Sequence, residues 1–137
     1  MLRLKAIALL ATLLAQNAYS AECWIADNFK GYPAKVRNGY EFETDGMTST
    51  KYVIYIDGKK SHIVGSSISE YLQIAPNSIL AIAIEDDTSV IETWTIDPVK
   101  KKALYTKTTS GYGQFDGVSV FVGNVVGDCK SEKEKLQ

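Results

Sequence analysis

Apolar and polar residues trade places at short intervals along most of this 137-residue chain, and the pattern changes character only near its two ends. Between residues 21 and 129, runs of β-branched and aromatic residues recur with turn-forming residues between them. No window of a dozen residues holds apolar positions at the three-and-four spacing of a helix. The expected class is all-β and mainly antiparallel, as a small eight-strand barrel or a two-sheet sandwich with at most one short helix.

Residues Cys23 to Phe29 form the first expected strand, ended by Lys30-Gly31-Tyr32-Pro33, and a weaker run from Val36 to Thr44 carries Tyr40 and Phe42. Lys51 to Asp57 is a stronger strand, because Tyr52 through Ile56 are all β-branched or aromatic. Asp57-Gly58 then suits a tight hairpin whose return is Ser61 to Gly65. Ser66 to Ile74 is the one stretch that admits a short helix, with Ile68, Tyr71 and Leu72 as its buried stripe and Pro76 as its stop.

The second half reads as a four-strand meander. Ile79 to Glu85 turns at Asp86-Asp87 and returns through Ser89 to Ile96, which sets Trp94 on an inner face. Asp97-Pro98 marks the next turn, Lys102 to Thr108 follows, and a flexible glycine-rich connection from Ser110 to Gly117 leads into Val118 to Val126. In that last strand Val118, Val120, Val122 and Val126 share one face, while Ser119 and Gly123 thin the other.

The first twenty residues follow a different rule. Arg3 and Lys5 precede an apolar stretch from Ala6 to Ala15, then a short polar segment with Ala18 and Ser20 at the small-residue positions a signal peptidase reads. A spanning helix needs roughly 20 apolar residues and this stretch has about half of that. Residues 1–20 are therefore expected to be a cleaved secretory signal, 21–129 one β domain, and 130–137 a charged flexible tail. Glu22 directly before Cys23 argues against lipidation at that cysteine, since lipoprotein processing wants a small uncharged residue there.

Export changes the reading of charge and of the cysteines. Without Arg3 and Lys5 the fifteen basic residues become thirteen against sixteen acidic ones, a mild net charge of −3. That balance gives no support to nucleic-acid binding, and no basic amphipathic helix supports a stable membrane association of the mature chain. Cys23 and Cys129 are the only cysteines, and in an oxidising compartment they are expected to pair. Closing a loop of about 100 residues stabilises by up to about 4.7 kcal/mol in the chain-entropy picture.

Candidate chemistry is sparse. A serine-type triad has only His62 for a base, and His62 follows a hairpin in a segment rich in Lys and Ser. Glu85, Asp86 and Asp87 are the one acidic cluster, where turn geometry accounts for the aspartates. Two cysteines and one histidine do not make a four-ligand metal site, and no cofactor motif occurs: Gly111-Tyr112-Gly113 lacks the third glycine of a phosphate loop. The feature with the strongest claim to contact is the loop carrying Tyr112, Gln114, Phe115 and Asp116, because aromatic residues on a glycine-flanked loop are common anchors for partners.

These readings converge on a periplasmic or extracellular, monomeric, non-enzymatic binding protein, of inhibitor or immunity type, whose partner is another protein or an envelope component. Two other classes make different demands. A carrier of the calycin-like barrel type needs an internal apolar cavity of a few hundred Å³. A hydrolase built on the Glu85–Asp87 cluster needs it to converge with His62 in one cleft.

Overall fold

The computed structural model describes residues 20–47 and 49–130. The expected leader, apart from Ser20, and the charged tail beyond Lys130 lie outside the described residues.

Among the described residues nine strands follow one another: β1 (Glu22–Lys35), β2 (Asp45–Met47), β3 (Tyr52–Ile56), β4 (His62–Ile63), β5 (Leu72–Ala75), β6 (Ser78–Glu85), β7 (Thr88–Asp97), β8 (Lys102–Ser110) and β9 (Gly117–Asp128). All pairings are antiparallel. Eight strands form one continuous path in the order β4-β3-β1-β9-β8-β7-β6-β5, with β2 alongside β1. The two ends of that path meet through a bridge between Ser61 and Tyr71, and the Gly58 amide donates to Gln73 Oε1 at 2.8 Å. One sheet curled on itself gives the barrel-like alternative, since a sandwich would hold two.

Several elements depart from the sequence expectation for local reasons. The run Lys30–Pro33 does not end the first strand; β1 continues to Lys35. Asn28 takes a left-handed φ of 52° and absorbs a bulge, so that β1 advances three residues from Asp27 to Lys30 while β9 advances two from Asn124 to Val122. Pro33 is tolerated because its carbonyl accepts from the Glu43 amide. Its missing N–H therefore also points away from β9, and that ladder loses nothing. Val36 to Thr44 is no strand. It opens with a 3-10 turn at Val36–Asn38, continues through left-handed Gly39 and Tyr40, and runs back beside β1 with one bridge, Phe42 to Ala34, and amide bonds from Tyr40 to Lys35 and from Glu43 to Pro33. Ser66 to Ile74 holds no helix: bends precede Tyr71, and Leu72–Ala75 is strand β5 against β6.

The interior is built from rings. Phe29 meets Tyr52 and Trp94 edge-on, with centroids 5.4 and 5.6 Å apart, and Trp94 stacks on Tyr105 at 4.2 Å. Ile54, Ile56, Ile79 and Ile96 belong to the same buried cluster. Each such side chain contributes about 1.5–3 kcal/mol when fully buried. Val118, Val120 and Val122 do share a face, but it is the outer one, opposite Ala34, Tyr32 and Lys30. Inside, the thinned face of β9 is what accommodates the core, for a Cβ on Gly123 would lie 2.7 Å from the Phe29 ring.

The expected disulfide is present. Cys23 and Cys129 are bonded, with Cα atoms 5.4 Å apart across 106 residues, and tie the start of β1 to the chain just past β9. Trp24, next to this bridge, is partly buried against the core and donates its indole N–H to Glu22 Oε2 at 2.9 Å. No helix among the described residues is long and apolar enough to cross a membrane.

Candidate functional site at the barrel mouth

The end of the barrel opposite the disulfide is open because of which residues point inward there. Strand register stacks the inward side chains in rows. The deepest of three successive rows runs Phe121, Tyr105, Trp94, Ile79 and is filled by rings. Above it lie Pro33, Ser119, Lys107, Glu92 and Ala81, and above those Lys35, Gly117, Thr109, Val90 and Ala83. The upper rows contain small residues where the lower one has aromatic ones. Gly117 is obligatory, since a Cβ there would lie 2.0 Å from the Ala34 carbonyl oxygen and its φ is +145°. The result is a groove of about 480 Å³ with a ring-filled floor, walled by Lys35, Arg37, Val90, Lys107, Tyr112 and Phe115.

The floor holds a closed polar network around Glu92, which is buried. Its Oε2 accepts from the Tyr71 hydroxyl at 2.8 Å, and its Oε1 accepts from the Tyr105 hydroxyl at 3.0 Å and from Lys107 Nζ at 3.1 Å. Burial, with the negative charge of Glu92 added, pushes both phenols well above the usual tyrosine range, opposed at Tyr71 by its contact with Ser66. Lys107 is thereby neutralised. Lys35 and Arg37 have no carboxylate at ion-pairing distance among the described residues. The Lys35 ammonium is held below the ordinary lysine value, first by burial and then by Lys107 and Arg37, with Asp116 opposing them.

The loop expected to make contacts forms one rim of this groove. It is less flexible than its glycines imply. A 3-10 turn at Gly113–Phe115 shapes it, the Thr109 hydroxyl donates to the Phe115 carbonyl at 2.8 Å, and the Val36 amide donates to the Asp116 carbonyl at 2.9 Å. The Asp116 carboxylate accepts from the amides of Gly111 and Tyr112 at 3.0 and 2.6 Å. Asp116 thus braces the loop from within. Tyr112, Gln114 and Phe115 stand exposed, the aromatic pair by 45% and 55%. The structure joins to them three cations that sequence reasoning passed over. Lys107 and Glu92 carried a legible signal, being charged residues at inward positions of strongly alternating strands, but only the register of β7 on β8 makes them neighbours.

The other candidates are not brought together. Asp86 and Asp87 form the β6–β7 turn at the mouth end, with Asp86 at a left-handed φ of 49° and the Thr88 hydroxyl donating to the Glu85 carbonyl. His62 lies at the disulfide end, opposite Tyr55, which in turn pairs with Cys23. Its ring stacks on Tyr55 with centroids 4.5 Å apart, and its Nδ1 lies 2.9 Å from the Lys60 carbonyl. No group of three or more metal-ligating side chains forms among the described residues. The chain matches no family model, no curated protein and no solved structure.

Proposed function

We propose that this chain is an exported, non-enzymatic binding protein that acts in the periplasm or outside the cell as a monomer and engages another protein or an envelope component through the barrel mouth. One observation carries the reading: Tyr112 and Phe115 are exposed on a braced loop beside an open groove. Aromatic side chains held rigidly at a rim are good anchors, since little conformational freedom is lost when they are covered. The ring-packed interior gives no support to an apolar carrier, which would need that space for its ligand. The separation of His62 from Asp86 and Asp87 likewise gives none to a hydrolase.

The test is recovery of partners from envelope extract on the immobilised mature protein, compared with a Tyr112→Ala, Phe115→Ala form. A partner retained by the first and lost by the second supports the reading. Equal recovery of every partner by both removes the mouth loop from it.

A further inference from the structure

We propose that the mouth groove receives an acidic polypeptide segment, with a carboxylate side chain of the partner seated between Lys35 and Arg37 and an adjacent apolar side chain against Val90 and Phe115. The inference deepens the preceding reading and rests on it, for it names the chemistry of the segment that the loop would help to hold.

Charge is the first argument. The domain carries more acidic than basic residues, yet Lys35, Arg37 and Lys107 converge on one groove whose lining contains no carboxylate. Lys107 has its counter-charge in Glu92, whose carboxylate accepts from Lys107, Tyr71 and Tyr105 and makes no ion pair with either of the other two cations. The remaining charges near Lys35 are Asp116, whose carboxylate is occupied by two loop amides, and those of the neighbouring groove, where Glu70 and Glu85 lie with Tyr112. Lys35 and Arg37 stand in one groove with only the weaker pull of Asp116 against them, and the lowered proton affinity of Lys35 follows first from burial and then from the charges of Lys107 and Arg37. An arriving anion offsets those charges. Partial burial strengthens the attraction relative to open water.

The walls decide which anion. The lining also holds the hydroxyls of Ser67, Thr109 and Tyr112, of which Thr109 is already bonded to the Phe115 carbonyl. The side chains of Val90 and Phe115, however, offer no hydrogen-bonding group and so favour an anion that brings an apolar group with it over a bare phosphate. A peptide places a carboxylate and an apolar side chain within one or two residues of each other, which matches a lining that holds both cations and apolar side chains. Lys35 ends β1 and Arg37 follows it, and the Val36 amide between them donates to the Asp116 carbonyl, so the cations and Phe115 stand side by side on the β1–β9 side of the mouth, with Val90 and Lys107 supplied by β7 and β8.

The experiment is an NMR titration of the disulfide-bonded mature protein with a capped Glu-Glu-Leu-Glu-Glu peptide. The account expects amide shifts gathered on residues 35–37, 107–109 and 112–116, and affinity weakened about tenfold or more between low and about 0.5 M salt. A Lys35→Gln, Arg37→Gln variant of unchanged thermal stability should lose about tenfold or more in affinity, and a Gln-Gln-Leu-Gln-Gln peptide should leave the wild-type spectrum still. Lys107 is left intact because its loss would strand Glu92. Shifts absent from the mouth, equal binding of the glutamine peptide, or saturation by inorganic phosphate or heparin in place of the peptide would overturn the proposal. If the Lys35→Gln, Arg37→Gln form still recovers the partner that the Tyr112→Ala, Phe115→Ala form loses, the acidic segment falls while the mouth reading stands.

Discussion

The two ends of the barrel are built on opposite principles. At the disulfide end, β1 and the chain past β9 are joined covalently, Trp24 lies partly buried beside the joint, and His62 is stacked flat on Tyr55. At the mouth, small inward residues open a groove, like charges crowd together, and two aromatic side chains are left uncovered. The difference sets a covalently closed end apart from the end to which we assign the proposed recognition. The first end also has a groove, of about 450 Å³ beside Trp24 and Tyr55, but its disulfide, its Trp24–Glu22 hydrogen bond and its His62–Tyr55 stack are made within the chain. At the second, Lys35 and Arg37 have no ion pair among the described residues, and Tyr112 and Phe115 are exposed.

Substitutions at the two ends should therefore differ sharply in their effect on folding. The largest expected loss comes from Cys23→Ser with Cys129→Ser, which frees a 106-residue separation. It should cost about 2–5 kcal/mol in urea denaturation. A loss below about 0.5 kcal/mol would remove the contrast between the ends. Next comes Glu92→Ala, beneath the mouth, which strands the buried Tyr105 hydroxyl, leaves that of Tyr71 with Ser66 alone, and removes the counter-charge of the partly exposed Lys107. We expect about 2–4 kcal/mol by the same measurement.

Alkaline titration gives the third outcome. Tyr71 and Tyr105 have raised folded-state values, so the native protein keeps protons there that the unfolded chain releases near pH 10. The stabilisation is fully present below about pH 10 and is lost as pH rises above it. Phenolate absorbance should show two tyrosines that ionise only with unfolding, and Tyr71→Phe with Tyr105→Phe should abolish that late step. Early ionisation of all tyrosines would contradict the Glu92 network.

The smallest effect is expected at the rim. Tyr112→Ala and Lys35→Gln should each change stability by no more than about 0.5 kcal/mol, and Lys35→Gln should err toward stabilisation because it removes like-charge repulsion. A loss above about 2 kcal/mol for either would make the rim a folding element instead of a contact surface.

Much of this molecule was legible in residue order. Strand β3 and the β6 to β9 meander follow from β-branched alternation and from turns at Asp86-Asp87 and Asp97-Pro98, because those signals are local. The disulfide followed from compartment and count. What failed was decided by long-range pairing. Ser66 to Ile74 has helix-compatible spacing, but Leu72–Ala75 gains more from pairing with β6. Tyr40 and Phe42 look like strand residues, yet a left-handed turn at Gly39 and Tyr40 leaves them a single bridge to β1, Phe42 to Ala34, in place of a strand. Alternation grouped Val118, Val120 and Val122 correctly but carried no sign of which side was the core, since ring-sized Phe29 needed the face that Gly123 leaves empty. The mouth loop was visible as exposed aromatics between glycines. Its cations were not, because Lys35 and Lys107 are separated in sequence and meet only through β9.

The most direct measurement places a photo-reactive benzoylphenylalanine at Phe115 or, in a second protein, at Tyr55 near the disulfide, and irradiates cells that export each. The account predicts a covalent adduct of defined added mass from position 115 and none from position 55. An adduct from position 55 with none from position 115 would contradict it.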